Sequence, residues 1–257
     1  MSGGGLAADA AGNIYFVTAN GTFDANLGGR NYGDTYVKLS SAGVVLDYFT
    51  PSNQADLDVG NHDLGSANVT LLPDQPGAHP RLALMAGKNG TIHVVDRDNM
   101  GRYNPDGDTQ IVQSLVHIFP FGTPEPGNYS AAVYVNGRVY FSPVADYIQA
   151  FTLTDGLLSA SPTARTPEIY AYPGGTISAS SNGTTDGIIW AIQWNGTSQR
   201  SVLRAYDATN LATELYNSDQ VSGDRLDPGA KFTAPVIANG KVFVASSGRL
   251  TVFALRP

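Results

Sequence analysis

The feature that most restricts how this 257-residue chain can fold is an internal repeat. A strand of alternating apolar residues, a turn with Gly or Asn-Gly, a second hydrophobic strand and a third ending in a polar turn recur about five times. The first two strands read in residues 6–17 (Leu-Ala-Ala-Asp-Ala-Ala-Gly-Asn-Ile-Tyr-Phe-Val), 130–141 and 232–244, with longer versions in 66–95 and 176–192. Asn136-Gly137 and Asn239-Gly240 are strong hairpin signals, because a tight primed turn needs positive φ at both central residues. The third strand sets a second register at residues 36–39, 93–96, 149–152, 204–207 and 251–254. These lie roughly 45–60 residues apart, the period of a four-stranded blade. A turn and a fourth strand follow the first four of them, for example 210–216.

Two registers that agree in order and spacing predict an all-β chain, a β-propeller of about five four-stranded blades, the last one incomplete. The blades fall at about 6–53, 64–118, 129–166, 175–219 and 231–257 of a single domain spanning 1–257. A β-sandwich also strings short strands together, but has no reason to repeat one four-strand unit. Helix is nearly absent: the best candidate, 207–215, sits where the repeat demands strand, turn and strand. A propeller closes when its last blade borrows a strand from the other terminus. Here the fifth blade has no fourth strand, and the Gly-rich residues 1–5 are a poor substitute. The blade from about 232 to 255 is therefore expected to expose a strand edge. The chain then reads as the C-terminal part of a larger ring of about seven or eight blades, or as an incompletely closed ring.

Composition matters at three points. Charged residues are only 14%, and the deficit is filled by Ser, Thr, Asn and 29 glycines, as many turns require. A net charge of −7 argues against nucleic acid, which needs a cationic face to displace phosphate counterions, and leaves small-molecule and protein partners open. With no cysteine, disulfides and thiolate metal sites are excluded. No apolar stretch approaches the roughly 20 residues of a membrane helix. Met1-Ser2-Gly3-Gly4-Gly5-Leu6 has neither a basic head nor an apolar run, so it does not read as a signal peptide.

Residues 13–101 carry a further pattern: Val17-Thr18-Ala19-Asn20-Gly21, Gly33-Asp34-Thr35-Tyr36-Val37, Asn61-His62-Asp63-Leu64-Gly65-Ser66, and Gly87-Lys88-Asn89-Gly90 before a strand ending in Asp96-Arg97. In order and approximate spacing this resembles the pyrroloquinoline-quinone (PQQ) dependent alcohol and sugar dehydrogenases; the remaining blades are similar to generic PQQ-like repeats. The resemblance implies Asn20 as a calcium ligand and Asp63 as the carboxylate beside the metal that takes the substrate hydroxyl proton. It implies Lys88 as the cation that hydrogen-bonds the quinone oxygens. Calcium would polarise the quinone carbonyl while a hydride moves to the cofactor. The sequence departs from the family at several positions. The further calcium-ligating Glu belongs to an earlier blade, a vicinal Cys pair is impossible, and the only tryptophans, Trp190 and Trp194, lie in a later blade.

Asp56, Asp58, His62 and Asp63 form an acidic loop that reads either as oxygen ligands for a divalent cation or as a solvated loop capping its own turns. The stretches around Asp96-Arg97-Asp98 and Asn104-Pro105-Asp106 read as turns, not as an EF-hand, because Met100 and Gly107 stand at ligand positions. His62, His79, His93 and His117 have no metal-binding spacing, and His93 reads as a packed strand residue. Tyr129, Tyr134, Tyr140, Tyr147, Tyr170, Tyr172 and Trp190 read mostly as blade core, with a sugar- or peptide-binding surface as the alternative. Three functions follow: a non-catalytic PQQ-like binding or scaffold module, a PQQ- and calcium-dependent dehydrogenase or part of one, and a channel-sited hydrolase or lyase, for which no motif is present. An upstream signal peptide would place the chain in the bacterial periplasm or outside the cell.

Overall fold

A computed structural model describes residues 4–121 and 127–254. Its strands form five sheets, each built on an antiparallel meander, with one parallel addition to the first sheet and a branch in the third. Sheet one holds β1 (Ala7–Ala8), β2 (Ile14–Val17), β3 (Tyr36–Leu39) and β4 (Val45–Thr50). Sheet two holds β5 (Thr70–Leu71), β6 (Leu82–Ala86) and β7 (Ile92–Asp96). The chain then sends β8 (Arg102–Tyr103) back to pair in parallel with β4 before completing sheet two with β9 (Gln113–Leu115). Sheet three comprises β10 (Val133–Val135), β11 (Arg138–Phe141), β12 (Asp146–Thr154), β13 (Leu157–Leu158) and β14 (Ala164–Tyr170). Sheet four comprises β15 (Thr176–Asn182), β16 (Thr185–Gln193), β17 (Val202–Asp207) and β18 (Asn210–Asn217). Sheet five has β19 (Val236–Ala238), β20 (Lys241–Ser246) and β21 (Arg249–Phe253).

Successive sheets pack face to face, and the first strands of neighbours approach one another: β1 with β5, β10 with β15, β15 with β19. That radial order is the β-propeller. One apolar cluster joins each pair. Tyr15, Tyr36 and Phe49 meet Met85 and Val95 between sheets one and two. Leu82, Leu84 and Ile92 meet Phe141 and Phe151 between two and three. Tyr140 and Tyr170 meet Ile189 and Tyr206 between three and four. Leu203 meets Val242 and Val244 between four and five.

Burial follows from position in this series. β6 and β7 are buried at every residue, because both faces of sheet two are covered; hence the unbroken run Leu-Ala-Leu-Met-Ala. In β20 and β21 burial alternates, and Val236, Leu250 and Val252 on the far face are 58%, 61% and 47% exposed. Among the described residues β21 pairs only with β20, so the expected free edge is present. Residues 1–3 and 255–257, on which ring closure also turns, lie outside the described residues.

Three local expectations need correction. The acidic stretch is not all loop: Gln54–Gly60 forms helix α1, held down by buried Gln54 and Leu57. The last strand of sheet three runs to Tyr170, past the expected boundary at 166, and sheet one gains a fifth strand, β8, from the sequence after Asp98. At 207–217 the structure has strand, turn and strand, as the repeat demanded. No helix among the described residues is long and apolar enough to cross a membrane.

Candidate functional site

In an antiparallel meander, the loop between second and third strands and the connector to the next sheet leave at the same end. Residues 18–35 of sheet one, the Gly87–Gly90 turn of sheet two, the connector 51–69 and residues 116–121 and 127–132 therefore share one end of the propeller. Two features lock them together. Asn61 caps α1 in the left-handed conformation, φ 55°, and turns the chain so that buried Leu64 enters the core. The Gly87–Gly90 turn lies flat on this segment, with Lys88 N–H donating to Asp63 O at 3.1 Å. A Cβ on Gly87 would stand 2.7 Å from Leu64 O and 2.9 Å from Asp63 O, so glycine alone permits that approach.

The three residues singled out from the sequence meet here. Asp63 Oδ1 accepts the backbone N–H of Asn20 at 3.2 Å, and Asp63 Oδ2 accepts from the Lys88 ammonium. Lys88 also reaches Asn61 O at 3.3 Å, while Asn20 Nδ2 donates to Asn61 Oδ1 at 3.1 Å. Asn20 Oδ1 is buried without a partner among the described residues. Beneath them Asp34 is fully buried; its Oδ1 accepts Leu64 N–H at 2.8 Å and its Oδ2 has no partner among the described residues. Burial, and then the nearby Asp63 and Asp58 carboxylates, push the Asp34 carboxyl up to about 6, against the opposing pull of Leu64 N–H and Lys88.

Aromatic rings border the cluster. Phe121, 46% exposed, stacks on His117 at 4.5 Å and 7° and leans on His62 at 4.8 Å. Farther round the same end, Tyr129 contacts Tyr172 and Phe232, and Lys231 stands 4.9 Å from the Tyr172 ring and 5.8 Å from Trp194. Of the other flagged aromatics, Tyr140 and Tyr170 are core, Tyr134 packs at a core margin, and Tyr147 lies under Arg165. Trp190 faces the space between sheets four and five.

Calcium requires about six to eight oxygen ligands. Here Asn20 N–H and Lys88 already occupy both oxygens of Asp63, and a cation sits where the metal would. Among the described residues no group of three or more His, Asp or Glu is arranged to hold a metal. The set does not fit calcium in this arrangement. Asp56 and Asp58 are exposed on α1, and only the Asp58 carbonyl touches the cluster, at 3.4 Å from Asn20 Nδ2. His79 pairs with Asp96 at 2.7 Å. His93 is buried against Tyr36 and Phe49, as its strand position suggests. Asp98 N–H to Asp96 Oδ1 and Asp106 N–H to Asn104 Oδ1 are local turn bonds.

Sequence reasoning assigned no role to Asn61, Asp34 or Phe121. Asp34 stood inside a quoted motif. Phe121 carried no local signal, because its neighbours His62 and His117 come from different connectors.

No family model matches this sequence, and no curated protein matches it. Solved structures do. The computationally designed Ika8 protein is 14% identical over 97% of this chain and 70% of its own, with a TM-score of 0.47. The β-propeller domain of Cps50 (Swd1) from Myceliophteria thermophila is 12% identical over 87% of this chain and 60% of its own, TM-score 0.48. BamB from Moraxella catarrhalis is 14% identical over 95% and 67%, TM-score 0.45. These matches assign no activity, and the chain is a β-propeller on the strength of its own five sheets.

Proposed function

We propose that this chain is a non-catalytic binding propeller that takes a small cyclic ligand bearing hydroxyl or carboxylate groups at its loop end. The observation that carries this reading is the convergence of Asn20, Asn61, Asp63 and Lys88 from three separate loops beside the exposed Phe121 ring. Phe121 and His117 offer a flat apolar face to a ring. Lys88, Asn61 and the unpartnered Asn20 Oδ1 offer donors and acceptors to its oxygens. Under this reading the chain is of PQQ-like repeat ancestry and works in the periplasm or outside the cell.

The quinoprotein dehydrogenase is the second reading, favoured by one observation: of the three residues that the resemblance singled out, Asn20 and Lys88 each contact the Asp63 carboxylate. Titration calorimetry separates the two. Wild type, Asp63→Ala, Lys88→Met and Phe121→Ala are each titrated with sugars, small ring carboxylates, and PQQ with and without calcium. Binding of a sugar or ring carboxylate without calcium, weakened about tenfold or more by Lys88→Met and Phe121→Ala, is the expected result. Calcium-dependent PQQ binding lost in Asp63→Ala would put the dehydrogenase first. No probe that distinguishes wild type from Lys88→Met would sink both readings.

A further inference from the structure

We propose that a cavity at the loop end of sheets four and five binds a small oxyanion, the phosphate or sulfate group of a solute. The antiparallel rule sends three segments of these sheets to that end. They are the loop 194–201 between β16 and β17, the connector 218–235 and the Ser247–Gly248 turn before β21. Backbone groups tie them together. Arg200 forms a β-bridge with Pro228, Ser201 N–H donates to Asp227 O at 3.4 Å, and Ser247 N–H donates to Pro228 O at 2.8 Å. The indole N–H of Trp194 adds a bond to Gly229 O at 2.8 Å. From here β21 runs to the opposite end of its sheet.

The three segments leave between them a cavity of about 330 Å³, at the small end of the range for ligand sites. Thr197, Thr233, Ser246 and Ser247 bring four hydroxyls to a lining that holds no charged side chain. Ser246 Oγ is buried without a partner among the described residues. So is Ser201 Oγ behind Gly229, where a Cβ would stand 2.5 Å from it. Buried hydroxyls left unmatched are costly, and an acceptor placed in the cavity relieves the one that lines it.

Hydroxyls alone would also suit a neutral polyol, and charge makes the choice. Lys231 follows Ala230 of the lining, is exposed, and has no ion pair among the described residues. Its ammonium stands 4.9 Å from the Tyr172 ring and 5.8 Å from the Trp194 ring, which hold it near the connector instead of leaving it to sweep through solvent. The nearest acid in sequence, Asp227, is held by Arg249 at 2.6 Å. A free cation beside hydroxyl donors, with no competing carboxylate in the lining, recognises a compact oxyanion, which lysine meets as a point charge.

The test titrates the whole chain with inorganic phosphate, sulfate and glycerol, with ionic strength held constant by chloride. Trp190→Phe is the background, so that Trp194, the other of the two tryptophans, reports alone. Amide shifts in the NMR spectrum locate the site. The expected result is saturable binding of phosphate or sulfate, the tighter of the two naming the group, with shifts at residues 228–233 and 245–247. Lys231→Met should weaken it about tenfold or more, and Lys231→Arg, which keeps the charge, should retain most of it. Ser246→Ala should weaken binding while leaving the thermal midpoint unchanged or raised, because an unpartnered hydroxyl adds nothing to the fold, so a loss of binding there is not a loss of structure. Equal responses to phosphate and glycerol, equal affinity in wild type and Lys231→Met, or shifts confined to other residues would overturn the proposal.

Discussion

Two buried titratable side chains near sheets one and two pull the pH dependence of stability in opposite directions. Asp34 has its carboxyl raised from 3.8 to about 6, first by burial. The folded protein holds its proton more tightly than the unfolded chain, so the stability tied to this group is fully present below about pH 4 and lost as pH rises through about 6. Burial lowers His93 from 6.5 to about 4, and the stability tied to it is lost as pH falls from about 6.5 towards 4. Over this window the two largely offset each other. Asp34→Asn should therefore expose a steeper acid loss, and His93→Leu a loss of stability with rising pH. Each difference from wild type should be on the order of 2–3 kcal/mol between pH 4 and 7, read from urea midpoints at a series of pH values. Parallel curves for wild type and both variants would refute the assignment. Asp63 and Lys88 offer a second residue-scale test. They are 20% and 15% exposed, so a double-mutant cycle with Asp63→Ala and Lys88→Met should show a coupling of about 1–2 kcal/mol, between surface and buried pairs.

At the scale of elements, two glycines that look alike in the sequence act for different reasons. Asn136 and Gly137 have φ of 46° and 81° in the hairpin joining β10 and β11, the conformation a primed two-residue turn requires. A Cβ at Gly137 meets nothing within 4 Å, so Gly137→Ala should cost only the backbone preference, about 1 kcal/mol, and leave ligand binding unchanged. Gly87 is the opposite case. Its Cβ would collide with the carbonyls of Leu64 and Asp63, so Gly87→Ala should cost about 2 kcal/mol or more and displace Lys88 from Asp63. Thermal unfolding and ligand titration of both variants separate the two effects. The hairpin was legible because Asn-Gly is a local signal. The role of Gly87 was not, because its partners lie more than twenty residues away in the preceding connector. Helix α1 was missed for a related reason: its polar sequence carries little apolar periodicity, and burial of Gln54 and Leu57 supplies what propensity does not.

For the molecule as a whole, the series of sheets sets a gradient of stability. Among the described residues, sheets two and three have apolar neighbours on both faces, whereas sheet five has one, and Val236, Leu250 and Val252 on its other face are exposed. Native-state hydrogen exchange should find the slowest amides in β6, β7, β11 and β12 and the fastest strand amides in β19 to β21, opening without global unfolding. Uniform exchange across all five sheets would contradict this order. By itself the sequence determined the all-β class, the five sheets, the order of the repeated strands within them and most hairpins, because period-two burial and turn chemistry act between residues close in the chain; the parallel strand β8 lay outside that pattern. It also brought Asn20, Asp63 and Lys88 forward as a group, through a pattern spread over one continuous stretch. Tertiary structure alone decided that Lys88 occupies Asp63, that Asp34 is buried beneath them, that Phe121 borders the cluster and that sheets four and five part beneath β21. Each of these depends on which surfaces remain uncovered once distant segments have packed, and burial of that kind has no local signature.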